Sequence, residues 1–167
     1  MKIKMHYFVI PLIVMLVAIG GGLLTNMGMD WYLISVVKPE FTPPGWMISV
    51  VWNVIFVLTA ISAIIFWNEA KEGKRFLLLF KRKNPEFNFV IGLFIVNAIL
   101  NAGWCLLFFT LHYMKASVFE MMVLELTTVI LIGLIWKTSK IAAILLVPYA
   151  AWVAFATYLA YTISILN

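Results

Sequence analysis

The sequence predicts an all-α membrane protein, a bundle of five transmembrane helices. Three observations lead there. The 167 residues are 65% apolar and 11% charged, against about 45–50% and about 25% in soluble domains. The apolar residues fall in five long unbroken stretches, and the charges fall between them. A chain of this size cannot hide that much apolar surface from water, so its solvent is lipid. The composition excludes a disordered chain, a collagen-like chain and an ordinary water-soluble enzyme.

A helix needs about 20 apolar residues to cross a hydrocarbon core roughly 30 Å thick. The spans are expected at roughly 7–24, 46–67, 87–111, 116–136 and 141–166, all within one domain, 1–167. Membrane strands are excluded, because such strands alternate over about ten residues and these runs do not. The first span follows Lys2 and Lys4 as a secretory signal would. Its apolar run is long for a signal, and no convincing cleavage site follows, so the span is expected to be retained.

With five crossings, Lys2, Lys4, Lys71, Lys74, Arg75, Lys81, Arg82, Lys83, Lys137 and Lys140 share one side, while Lys38 and Lys115 lie on the other. The positive-inside rule then puts the N-terminus in the cytoplasm and the C-terminus outside, for a bacterial-type inner membrane. The net charge of +5 therefore reports topology and lipid headgroups, not nucleic acid. Phe76-Leu77-Leu78-Leu79-Phe80, between Arg75 and Lys81, is too short to cross and is expected to lie at the interface.

The connection 26–44 is unusual. It carries Trp31, Tyr32, Leu33, Ile34, Val36, Val37 and Phe41, with prolines at 39, 43 and 44. Prolines fix φ and remove donors, so a stiff, non-helical, lid-like loop is expected. An interfacial aromatic belt is the alternative. Span two places Trp52, Phe56 and Thr59 on one face, with Trp46 near the span end as an anchor. Trp52 lies deeper, where an indole N–H favours the bundle interior.

Span three aligns Asn97, Asn101, Trp104 and Phe108 on one face. Amides in hydrocarbon require partners, which leaves two readings open, interhelical glue and ligand contact. Span four carries Glu120 and Glu125, about 140° apart around a helix and so not a paired carboxylate site. An ionisable residue within a span is a functional hypothesis by default. Span five aligns Tyr149, Trp152, Ala156 and Leu159, and Pro148 is expected to kink it. Its alanines favour close packing, which explains neither the indole nor the phenol. The sequence contains no GxSxG, HExxH or phosphate-binding glycine loop. Its lone cysteine, Cys105, and its scattered His6 and His112 give no expected metal site.

Three blocks in order resemble the translocator protein family, also called tryptophan-rich sensory proteins (TspO/MBR) or peripheral benzodiazepine receptors. They are Trp31-Tyr32 followed by Lys38-Pro39-Glu40-Phe41-Thr42-Pro43-Pro44-Gly45-Trp46 and Trp52; Leu100-Asn101 with Trp104 and Phe108-Phe109; and Pro148-Tyr149-Ala150-Ala151-Trp152 with Phe155-Ala156-Thr157-Tyr158-Leu159. The chain departs from the family pattern at Phe41, usually tryptophan, and at Ala160, often asparagine. No basic residue follows Tyr158 or Tyr161, so the cholesterol motif of the animal proteins is not carried over.

The resemblance implies a five-helix bundle, usually a homodimer, with a pocket beneath the first loop. It implies tetrapyrrole ligands such as protoporphyrin IX, and isoquinoline carboxamide or benzodiazepine drugs, with no required cofactor and no metal. Some bacterial members are similar in promoting light-dependent oxidative breakdown of protoporphyrin, a role that falls here to Trp52 and Trp152. The wall residues implied or compatible with it are Tyr32, Lys38, Phe56, Asn97, Asn101, Trp104, Tyr149, Ala156 and Leu159. A transporter of porphyrins or similar amphipaths, and a structural or signalling membrane partner, are the competing functions.

Overall fold

A computed structural model describes residues 4–72 and 86–167. The expected segment Phe76–Phe80 lies outside them. The described residues are helical, with no strand among them. In chain order they form α1 (His6–Met27), α2 (Met29–Ile34), α3 (Gly45–Glu72), α4 (Phe87–Cys105), which runs on as a π-helical turn over Leu106–Thr110, α5 (Met114–Trp136), α6 (Lys140–Ile144) and α7 (Val147–Leu166). Five helical units are long and apolar enough to cross a membrane: His6–Met27, Gly45–Lys71, Phe87–Thr110, Met114–Trp136 and Lys140–Leu166. All five expected spans are present. The second runs on to Lys71 rather than ending near Trp67.

The expectation of a non-helical loop over 26–44 needs correction. Helix α1 continues to Met27, and Met29–Ile34 forms a short helix of its own. The prolines lie at 39, 43 and 44, so only the last ten residues feel them. Met29–Ile34 has neither Pro nor Gly to interrupt a helix. The stretch after Ser35 is the extended part.

The fifth span breaks where expected. Ser139 caps α6, its hydroxyl accepting from the Ala142 amide at 3.3 Å. The chain turns at Leu145 and Leu146, and Pro148 opens α7 in its first turn, where its missing N–H costs nothing.

Helix α5 lies at the centre, packed chiefly against α7 and α4. Met121, Leu124, Leu131 and Ile135 of α5 are almost wholly buried, with Phe66, Val90, Ala142, Leu146 and Val153 from its neighbours. Ser62 donates to the Ala142 carbonyl at 2.7 Å, tying α3 to the broken span. Helix α1 is different, with only His6 and Gly21 buried. It packs against α3, α4 and the π-helical turn, and its outward face is a continuous apolar surface of the kind lipid covers.

Candidate functional site

The site is built from the polar face of α4, the stripe of α7 and the α2 lid. The Asn97 amide lies between three helices. Its Nδ2 donates to the hydroxyls of Thr127 and Thr128, both at 2.9 Å, and its Oδ1 accepts from the Tyr149 hydroxyl at 2.9 Å. Asn101 Nδ2 donates to the same Tyr149 oxygen at 3.2 Å. Both threonine hydroxyls pass their protons to the Leu124 carbonyl at 2.8 Å. These bonds give Asn97 the partners that an amide between helices requires, and it also borders a cavity between α1, α3 and α4. The threonines of α5 were not legible beforehand, because nothing in their spacing pairs them with Asn97.

Around this network lie the aromatic side chains. Trp52 meets Phe56 at 5.8 Å between ring centres and Tyr149 edge-on at 6.1 Å. Trp104 stacks on Phe108 at 5.4 Å and meets Phe109 edge-on. Trp152 lies beside Phe155 at 5.4 Å. Trp52, Trp104, Trp152 and Ala156 all pack against the same central core. Leu159 belongs to the adjoining cluster under the lid, with Val36, Phe108, Phe109 and Ile163. Trp46, by contrast, is 70% exposed, as an interfacial anchor should be.

The indole Nε1 atoms of Trp104 and Trp152 are buried without a hydrogen-bond partner, as are Glu120 Oε1 and Oε2, Glu125 Oε2 and the Thr59 hydroxyl. Buried orphans of this kind are uncommon in folded proteins. Glu120 lies over Gly103, with 3.9 Å between its Oε1 and the point where a Cβ would stand. Phe56, Thr59, Asn97, Asn101 and Tyr149 also border a cavity of about 420 Å³ between α1, α3 and α4.

The lid is held from four directions. Trp31 stacks on His112 at 3.9 Å, and Tyr32 sets its edge against Phe108 and Phe109. His112 takes a left-handed φ of 59°, which turns the chain from the end of span three back into α5. Lys38 donates to the carbonyls of Tyr32 at 2.8 Å and Leu33 at 3.3 Å, and its ammonium lies 4.6 Å from the Tyr32 ring centre. Lys38 thus closes the C-terminal end of α2, where a cation is favoured. Val37 is paired with Asn167, amide to Oδ1 and Nδ2 to carbonyl, both at 3.0 Å. Burial pushes the Tyr32 phenol above its ordinary 10.0.

Gly28 supplies the fourth contact. Its backbone passes so close to the Phe109 carbonyl that any Cβ would collide with it. Sequence reasoning missed Gly28, since a lone Gly in a loop carries no signal of what passes beside it.

Fold and site together define a multi-pass membrane protein with an aromatic interior against which the short helix α2 packs. The chain belongs to the TspO/MBR family, whose model it matches over residues 9–166. It is 32% identical over 153 residues to the tryptophan-rich protein TspO of Chlorobaculum tepidum, covering 90% of this chain and 89% of that one. It is 35% identical over 137 residues to TspO of Bacillus cereus, covering 82% and 80%. The translocator protein of Homo sapiens is 26% identical over 145 residues, covering 87% and 79%.

Proposed function

We propose that this protein binds a tetrapyrrole, with protoporphyrin IX as the working ligand, in the interior beneath the α2 lid. The observation that carries the reading is the pair of buried indole donors, Trp104 and Trp152 Nε1, left without partners among aromatic walls. A flat, largely apolar macrocycle with a few acceptor atoms suits such walls and donors. In this reading Trp52, Trp104 and Trp152 form the faces, Phe56, Ala156 and Leu159 shape the floor, and Tyr32 and Lys38 belong to the closing lid. Tyr149, Asn97 and Asn101 hold the helices that present them. The drug-like isoquinoline carboxamides and benzodiazepines occupy the same interior.

Under light, Trp52 and Trp152 lie close enough to the excited ring to exchange electrons with it, and dioxygen is the oxidant of the porphyrin. No required cofactor or metal enters this proposal. The orientation, N-terminus cytoplasmic and C-terminus outside, and assembly as a homodimer belong to it as well.

The test is a titration of the purified protein in nanodiscs with protoporphyrin IX, following tryptophan emission in the dark and porphyrin absorbance under light. Saturable quenching near one ligand per chain, weakened in Trp52→Phe and Trp152→Phe, is the expected result. Non-saturable quenching that ignores both substitutions would mean that the porphyrin only partitions into lipid.

Transport of the same amphipaths is the second reading. It is favoured by the break at Leu145 and Leu146 in the fifth span together with the unpartnered carboxylate oxygens of Glu120 and Glu125. Gradient-dependent accumulation of porphyrin in sealed vesicles would establish transport, and stoichiometric uptake would establish binding alone.

A further inference from the structure

The cavity between α1, α3 and α4 runs along α1 from the Asn97–Asn101–Tyr149 network to Trp67. Along α1 it is bordered from His6 to Val17, about 16 Å at 1.5 Å per residue. Its walls are mainly aliphatic, from residues such as Val9, Ile13, Val17, Ile55 and Ile91, and none of Trp52, Trp104 or Trp152 borders it. The inner end stops at the Asn97–Asn101–Tyr149 network. At the other end Met5, His6 and Trp67 also border a second cavity of about 360 Å³, lined in addition by Lys4, Asn68 and Lys71. The two therefore adjoin at Met5, His6 and Trp67, an apolar shaft beside a more polar mouth that carries Lys71.

The mouth is built, not incidental. His6 Nε2 donates to Asn68 Oδ1 at 2.8 Å, and Asn68 Nδ2 donates to the Tyr7 hydroxyl at 2.9 Å. The His6 ring stacks on Trp67 at 5.3 Å. The Lys71 ammonium lies 4.4 Å from the Trp67 ring centre and 5.3 Å from that of Phe87, which steers it over aromatic faces rather than against a carboxylate. Glu69, an acidic neighbour on α3, borders neither cavity. The mouth thus presents the Lys71 ammonium beside a shaft whose walls are mainly aliphatic.

We infer that this shaft and mouth form a second ligand site, for a long-chain amphipath with one anionic head, a carboxylate or a phosphate. The chain lies along α1 between α3 and α4, and the head meets Lys71. Such a head is attracted by each nearby Lys where bilayer and water meet, and the chain gains by apolar burial. The shaft shares Phe56 and the Asn97–Asn101–Tyr149 network with the tetrapyrrole interior, but Trp52, Trp104 and Trp152 do not border it and Lys71 belongs only to its mouth. A free fatty acid and an anionic phospholipid share this chemistry.

The protein in phosphatidylcholine nanodiscs would be loaded with a fluorescent anthroyloxy stearate and titrated with oleate or with its methyl ester. Oleate is expected to displace the label saturably, near one per chain, with the ester at least about fivefold weaker. Lys71→Gln should weaken oleate by about fivefold, the worth of one interfacial charge, leave the ester unchanged, and be rescued by Lys71→Arg. Lys71 is exposed, so its substitution buries no unpaired group, and unaltered protoporphyrin quenching in Lys71→Gln would confirm an intact bundle. Adding phosphatidylglycerol to the nanodiscs identifies the source. Competition lost in Lys71→Gln assigns the site to a phospholipid, and no competition assigns it to the free acid. Equal affinity for acid and ester, or Lys71→Gln binding oleate like the parent, would overturn the inference.

Discussion

Asn97 spends all of its hydrogen-bonding capacity on Thr127, Thr128 and Tyr149, so its removal should be felt as stability. Polar contacts between membrane helices are each worth about 0.6 kcal/mol, rarely above about 2. With three lost at once and the Tyr149 hydroxyl left buried, Asn97→Leu should cost about 1–3 kcal/mol and lower the thermal midpoint in detergent. Asn53, whose amide donates only to Ser49 of its own helix at 2.9 Å, is the control, and Asn53→Leu should change little. Equal losses would show that the network is not what joins these helices. Tyr32 gives a pH prediction. Its folded phenol holds its proton more tightly than the ordinary 10.0, so its contribution is complete below pH 10 and is lost as pH rises through the higher folded value. The midpoint should fall more steeply above pH 10 in the parent than in Tyr32→Phe.

The lid is the element where sequence and structure part company. Aromatics and prolines between spans one and two made 26–44 stand out, but not the helix at Met29–Ile34, because its stabilising partners, Phe108, Phe109 and His112, are distant in sequence. For the same reason the bond by which Lys38, expected as a wall residue, closes the end of α2 was not legible in the sequence. Gly28→Ala should separate the lid from Phe109, since backbone cannot yield as a side chain can. Amides of 29–38 should then exchange faster while those of α5 keep their protection. Asn167→Ala, which removes both bonds to Val37, should give a milder form of the same effect. Protection that stays uniform in both variants would mean that neither contact holds the lid.

For the whole molecule, hydropathy was sufficient to place five spans, because lipid leaves a chain few alternatives to long apolar helices. The inward stripe of α7, Tyr149, Trp152, Ala156 and Leu159, was likewise legible, since a 3.6-residue period needs no partner to be seen. Partners and voids were not. The thin packing of α1, the shaft beside it and the orphaned indoles arise from how helices meet, which no single helix encodes. The orphaned indoles carry the proposal that the interior tryptophans enclose a light-absorbing macrocycle. Trp46 and Trp136 are 70% and 46% exposed and serve as internal references. The most direct measurement is to illuminate the protoporphyrin-loaded protein in nanodiscs and map tryptophan oxidation by peptide mass spectrometry. Oxidation concentrated at Trp52, Trp104 and Trp152, with Trp46 and Trp136 spared, is the predicted result; oxidation that tracks exposure, heaviest at Trp46 and Trp136, would contradict it.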